Sequence, residues 1–444
     1  MKKRFVGALA ACLALTVALA GCGGGAKTTD PAPGASSGGQ TSQQPAAEPA
    51  AKTVEIEYWQ YDYKSKVDLV NELIKEFETA NPGIKVKHTT IPYEQYNEKV
   101  AATVSAGRGP DVINLYYGWL PLYVDSGYLQ PLPEDAFPAA QIEKEFFPLV
   151  KAAQMDGKYY VLPTAVRTLA MLYNVELFKE AGIEAPPKTW EELVEQAKTL
   201  TKRDANGQLQ QVGFYFNVGG QGHNWFREVL IRQAGGEPQS ADLKKINWST
   251  EAGQQAFKWW VELQTVHKVG EIGFLTDDVT AFKAGKAAMD VDGSFRLGNL
   301  KDVPFEFRSA PLPVGPNGKP YTMASFWANG ITKKAEGEKL DASIKFLKFL
   351  TQPDVMERWT VAVGELPARP EVAEKYKDDP KLAGFIEGLP YASAYFFVDE
   401  VKDRQALIDA VDEVILTGKD PAQAIKDAET KVQGLFDEYW SKKK

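Results

Sequence analysis

The sequence predicts an α/β fold, and three observations carry that expectation. Residues 54–115 read as strand, helix, strand, helix, strand, the order of a sheet built with right-handed crossovers. The same alternation continues to about residue 440. The 444 residues are 44% hydrophobic and 25% charged, a globular balance that excludes whole-chain disorder. At about 150 residues per domain, that length suits two or three compact units. The mean hydropathy of −0.31 excludes a polytopic membrane protein. The net charge of −8 argues against a nucleic-acid binder, which needs a basic stripe to neutralise phosphates.

The chain opens with Lys2, Lys3 and Arg4, followed by an apolar run over 5–20 that ends Leu19-Ala20-Gly21-Cys22. This pattern is a secretion signal, too short for a comfortable membrane span. The closing four residues resemble the lipobox of bacterial lipoproteins. The resemblance implies that 1–21 is a lipoprotein signal peptide and that Cys22 is lipidated on its sulfur. The alternative is an ordinary secretory peptide with a chance cysteine. Cys12 would be lost with the signal and Cys22 acylated, so neither a disulfide nor a thiolate metal site is expected. With more than one acyl chain, Cys22 would anchor the protein stably. Residues 22–52 combine that cysteine with Gly, Ala, Ser, Thr, Gln and Pro. So few large apolar side chains cannot offset ordering entropy, and the segment reads as a flexible tether.

The globular body starts at Thr53. Val54-Glu55-Ile56-Glu57-Tyr58-Trp59 alternates as a strand does. Residues 64–78 carry Val67, Val70, Leu73, Ile74 and Phe77 at helical spacing, and Asn81-Pro82-Gly83 stops that helix. A strand is expected over 84–88, a helix over 95–106 and a buried strand over 111–115. Two further strands are expected over 158–163 and 169–173. Thr189 caps a helix over 189–201, with Glu191 and Glu192 in its first turn. Strands over 212–216 and 287–292 and helices over 251–267, 340–350, 353–361, 404–416 and 421–440 complete the reading. Trp259 and Trp260 lie mid-helix and read as packing. No internal repeat is present.

Ordered phrases then become specific. They include Ile56-Glu57-Tyr58-Trp59, Asn81-Pro82-Gly83-Ile84-Lys85-Val86, Gly109-Pro110-Asp111-Val112 and Asp156-Gly157-Lys158-Tyr159-Tyr160-Val161-Leu162-Pro163. Later come Pro187-Lys188-Thr189-Trp190-Glu191-Glu192-Leu193, Phe282-Lys283-Ala284-Gly285-Lys286-Ala287-Ala288-Met289, Ala310-Pro311-Leu312-Pro313 and Gly364-Glu365-Leu366-Pro367-Ala368-Arg369. Together they resemble the extracellular solute-binding proteins of ABC sugar importers, in the maltodextrin-binding-like group. The resemblance implies a two-lobed, periplasmic-binding-protein-like fold with hinge-linked lobes and a ligand cleft between them. It places crossings near 163–166, 310–313 and 364–368. The N-terminal lobe would then hold 53–163 plus 314–364, and the C-terminal lobe 165–312 plus 369–444. It further implies a monomer that binds carbohydrate, performs no chemistry and delivers its ligand to the permease subunits. Its place would be extracytoplasmic, tethered to the outer face of the membrane through Cys22. Each phrase also has a scaffold reading, as a helix stop, a turn or a cap.

Aromatic residues make up 11% of the chain, and many follow strand ends. In an open α/β sheet, ligands bind beyond the carboxyl ends of strands. A sugar ring needs flat apolar platforms and hydrogen-bonding groups around its rim. The candidate platforms are Trp59, Tyr61, Tyr116, Tyr117, Trp119, Trp225, Phe295 and Trp327. The candidate polar groups are Gln60, Asp62, Asn217, Asn224, Asp292, Arg296 and Glu365. Each aromatic could instead be core, but a loop setting favours the cleft for Trp59, Trp119, Trp225 and Trp327. Arg167 reaches either a ligand hydroxyl or a surface carboxylate. The several platforms point to an oligosaccharide rather than a monosaccharide.

Other chemistries find little support. Gly219-Gly220-Gln221-Gly222 lacks the dinucleotide spacing, and no Walker motif occurs. Asp204-Ala205-Asn206-Gly207 and Asp290-Val291-Asp292-Gly293 lack the spacing of a calcium loop. His88, His223 and His267 are far apart. Neither a cofactor nor a metal is expected. Two alternatives stay open: a secreted polysaccharide-acting enzyme, and a binding protein for a non-sugar solute such as a polyamine.

Overall fold

Strands β1 (Val54–Tyr61) and β2 (Ile84–Ile91) form where apolar and polar residues alternate. They pair in parallel from Val54 opposite Ile84 to Tyr61 opposite Ile91. The helix between them, α1 (Lys64–Ala80), buries Leu69, Val70, Leu73, Ile74 and Phe77, the stripe of a helix seated on a sheet. Helix α2 (Tyr93–Ser105) returns the chain to β3 (Val112–Tyr116), which lies parallel along the other edge of β1. This computed structural model describes residues 53–443. The expected signal peptide, Cys22 and the tether lie outside the described residues. No helix among those described is long and apolar enough to cross a membrane.

The next strand, β4 (Val161–Asn174), is one continuous element where two were expected. Neighbours on both sides hold its middle extended. Beyond it come β5 (Leu209–Phe214), β6 (Ala287–Gly293), β7 (Phe307–Ala310) and β8 (Thr322–Ile331). The sheet order is β2-β1-β3-β8-β4-β6-β5. β8 pairs antiparallel with β3 from Trp327 to Ile331 and with β4 from Ala324 to Gly330. The far part of β4 pairs instead with β6 and β7. β4 therefore belongs to both halves of the molecule, and Leu366-Pro367 pairs with its middle at Val166 and Ala165.

A crossing was expected near 310–313. Ala310 lies opposite Met171 inside the second half, and Pro313 accepts a hydrogen bond from Gln233 there at 2.8 Å. β8 is the strand that reaches back to the first half. Its ten residues are all buried, so it lacks the alternation that marks a half-exposed strand.

Helices complete each half. α3 (Trp190–Leu200) starts on Thr189, whose hydroxyl accepts from the Glu192 amide at 3.2 Å, as its sequence predicts. α4 (Glu251–Thr265) packs Trp260 against Phe226, with centroids 5.4 Å apart and planes 9° from parallel. Each such buried ring contributes about 1.5–3 kcal/mol by burial. α5 (Glu338–Leu350) and α6 (Pro353–Val363) join α1 over the outer face of β1, around Phe77, Phe346 and Trp359. α7 (Glu400–Thr417) and α8 (Pro421–Ser441) close the chain.

The glycine-rich stretch at 219–222 leads into continuous helix: Gly222–Asn224, a π-helical Trp225–Leu230 with more residues per turn, then Ile231–Gln233. A side chain at Gly222 would sit 1.9 Å from the Asn217 carbonyl. The close approach of two backbones explains that glycine.

Candidate functional site

The two parallel strands β1 and β3 end in Tyr61 and Tyr116, and both rings face a cleft of about 340 Å³. Trp327 stands between them on β8, its centroid 4.0 Å from Tyr61 and 6.0 Å from Tyr116. The β8–β4 register shifts between Trp327 and Ala328, a kind of irregularity that re-aims a side chain. Tyr93, at the start of α2, continues this aromatic wall 6.2 Å from Trp327. Trp119 is half-buried behind it, 5.1 Å from Trp327 and nearly perpendicular.

The opposite wall is Phe295 and Arg296, on the turn that follows β6, and the stretch Gly219-Gly220-Gln221 with His223 and Asn224. Arg167 lies on the floor, its guanidinium 4.8 Å from the Phe295 ring centre. Glu365 holds it from behind at 2.6 Å, and the same carboxylate takes Lys66 at 2.8 Å and the Trp359 indole N–H at 2.7 Å. Burial alone would raise the Glu365 carboxyl. Arg167 and Lys66 outweigh it and hold it down to about 2. Arg167 is thus fixed in place with its charge retained, and part of its guanidinium remains open to the cleft.

His223 is 3% exposed, and its Nδ1 lies 3.0 Å from the Val218 carbonyl. A carbonyl only accepts, so Nδ1 carries the proton and Nε2 is an acceptor. Burial, then the charge of Arg227, pushes its pKa down to about 3, so the ring is neutral near pH 7.

Behind Asn224 lies Arg227, with no exposed surface. It donates to Asp403 and Asn224 at 2.5 Å each and to Glu228 at 3.1 Å, between the rings of Tyr395 and Phe397 at 4.6 Å each. Asp403 sits on α7, which also sends Glu400 and Arg404 to the cleft rim. One buried cation therefore ties two cleft-lining segments together.

Glu228 has the longest of these contacts, and its Oε2 has no partner among the described residues. Burial pushes its carboxyl up from 4.5 to about 7 despite Arg227. A raised acid gives its full stabilisation below its unfolded value and loses it as pH rises through the folded value. Wild-type stability should therefore fall relative to Glu228→Gln by about 2–3 kcal/mol between about pH 5 and 8. Urea unfolding of both proteins across that range checks the sign and size.

Of the residues expected at the cleft, Tyr61, Tyr116, Arg167, Asn224, Phe295, Arg296 and Trp327 come together there. Others are placed elsewhere. Trp59 shares a face with Tyr61 but lies deeper, 5% exposed, with its indole N–H on Glu57 at 2.9 Å. Gln60 points into the opposite layer and is buried, while Asp62 is exposed beyond the strand. Tyr117 is buried against Phe326, with centroids 5.0 Å apart. Trp225 is 1% exposed between Phe214 and Trp259, because its segment is helix rather than loop. Asn217 braces the glycine stretch, accepting from the Gly220 and Gly222 amides at 3.2 Å each. Asp292 is fully buried and pairs with Arg296. Glu365 acts on the cleft only through Arg167.

Sequence reasoning missed Tyr63, Tyr93, Gln221, Met323, Ser325, Glu400 and Arg404, and left His223 open between the cleft and a solvated loop. The strand-end rule that found Tyr61 would also have found Tyr63 and Tyr93. A second hollow of about 390 Å³ lies between Leu149, Tyr117 and residues 392–397. Its lining is mostly apolar, and it lacks the clustered cations of the cleft.

Residues 72–384 match the family model of bacterial extracellular solute-binding proteins. The chain is 26% identical over 340 residues to the maltotriose-binding protein of Pyrococcus abyssi, covering 75% of this chain and 71% of that protein. It is 26% identical over 347 residues to the maltooligosaccharide ABC transporter solute-binding lipoprotein of Streptococcus pneumoniae, covering 75% and 77%. The solved structure of the sugar-binding protein MalE from Xanthomonas citri superposes with a TM-score of 0.76 at 22% identity, over 88% of this chain and 100% of that one.

Proposed function

Because this chain belongs to the bacterial extracellular solute-binding protein family, we propose that it captures a carbohydrate for an ABC importer and hands it to the permease subunits. The carrying observation is the pairing of an aromatic wall, Tyr61, Trp327 and Tyr116, with a facing set of fixed polar groups, Arg167, Arg296, Asn224 and His223. Flat rings take the C–H face of a sugar, and the polar groups take its hydroxyls. A closed cleft of this kind penalises a ligand that leaves those groups unpaired.

Names among its relatives, maltotriose-binding and maltooligosaccharide-binding, support an α-glucan oligosaccharide as the ligand. Those relatives bind substrate rather than transform it, which supports a protein without enzymatic activity. The closing lobes are read as 53–163 with the helices α5 and α6, and the β5–β6 half with residues from 369 onward. β4, β8 and Leu366-Pro367 are the hinge between them. The signal pattern supports lipidation at Cys22 and tethering to the outer face of the cell membrane, as does the lipoprotein among its relatives.

Titration calorimetry of the mature protein against maltose, maltotriose and longer glucans should give one-to-one binding, and the sugar should be recovered intact. Binding confined to a polyamine panel would overturn the carbohydrate reading. Sustained product formation would overturn the non-enzymatic one.

A further inference from the structure

Behind the Phe295–Arg296 wall, three buried aspartates meet. Asp290 and Asp292 alternate on β6 and so share one face, and Asp278 comes from the short helix Asp278–Lys283. One carboxylate oxygen from each lies within 4.8 Å of the others. All three side chains are buried, at 6%, 2% and 0% exposure for Asp278, Asp290 and Asp292.

The surrounding donors are few. Arg296 contacts Asp292 and lies 3.6 Å from Asp278. Asn217 donates to Asp278 at 3.1 Å, and the amides of Val279 and Gly293 serve Asp278 and Asp292. Among the described residues, no side chain donates to Asp290, and its Oδ1 has no hydrogen-bond partner. One guanidinium thus faces three carboxylates, and the one with the least support is buried among them.

We propose that Asp278, Asp290 and Asp292 bind a divalent, oxygen-preferring cation, with Ca²⁺ the best match. Oxygens about 2.4 Å from a central Ca²⁺ lie no more than roughly 4.8 Å apart, a bound that one oxygen from each of the three carboxylates satisfies. The site offers neither thiolate nor imidazole, which disfavours zinc and copper. Two positive charges would balance what Arg296 leaves uncompensated. Local sequence spacing hid the site because its third acid comes from a separate element.

The position gives the ion a role. Phe295 and Arg296 lie three and four residues after Asp292, and a side chain built on Gly220 would lie 2.9 Å from the Asp278 carboxylate. A bound cation would rigidify both segments of that cleft wall.

The test uses the mature protein after chelator treatment, without sugar, so its outcome does not depend on the proposed ligand. About 1 mM Ca²⁺ should raise Tm by about 2 °C or more, and calorimetry should find one equivalent bound. Asp290→Asn should abolish both responses and raise the Tm of the metal-free protein, since it removes a like charge. Asp278→Asn provides the same test if the first variant does not fold. Absence of any wild-type response to Ca²⁺, Mg²⁺ or Mn²⁺ overturns the proposal. So does a response that survives unchanged in the folded variant.

Discussion

Arg227→Met is expected to destabilise the protein by about 3–5 kcal/mol, the penalty for removing one partner of a buried ion pair. The guanidinium has no exposed surface and serves Asp403, Asn224 and Glu228 at once. Methionine keeps much of the contact with Tyr395 and Phe397 but leaves two buried carboxylates without their cation. Water cannot reach them cheaply, so both must take up protons or the helices must part. Guanidinium unfolding at about pH 7.5 measures the loss, and lowering the pH should restore part of it as the acids protonate. Adding Asp403→Asn and Glu228→Gln should recover stability for the same reason. If the single variant unfolds at the wild-type midpoint, the cluster is not the brace its geometry indicates.

Trp327→Ala is expected to weaken oligosaccharide binding by about 2–4 kcal/mol, roughly 30- to 1,000-fold. Trp327 meets Tyr61, Trp119, Tyr116 and Tyr93, so its removal takes the centre out of the aromatic wall. Those four rings would then lose their common support as well as the ligand its platform. Calorimetry reads the affinity, and circular dichroism confirms that the variant stays folded. By contrast, Trp225→Phe lies outside the cleft and should leave the affinity within about twofold while lowering Tm. Equal losses in both variants would point to a general loosening rather than to a stacking site.

The difference between those two tryptophans shows what the sequence could disclose. β1, β2 and the helices beside them were legible because one face of each is polar, and alternation reports that directly, while β3 read as a short apolar run after the Gly109-Pro110 turn. β8 was not, because Thr322-Met323-Ala324-Ser325-Phe326-Trp327-Ala328-Asn329-Gly330-Ile331 is buried throughout and rich in residues of weak strand preference. Trp327 was assigned to the cleft from a supposed loop, yet it reaches the cleft from within a strand whose register shifts beside it. Trp225 was misplaced by the glycines before it, which start a helix instead of extending a loop. Strand-end position located Tyr61 and Tyr116 for a sound physical reason. The acids and bases of α7 were beyond reach, since a helix 280 or so residues downstream carries no local sign of which strand ends it will face.

β4 has a bearing on how the protein is made. Its two ends complete different halves, and contacts that finish the binding face join distant parts of the chain: Lys66 and Glu365 are 299 residues apart. Such pairings form late and slowly, because long loops must close before they are rewarded. Neither half can settle into its final form while the ribosome still holds the rest. A polypeptide built this way stays threadable during synthesis, which suits a member of a family of extracellular proteins.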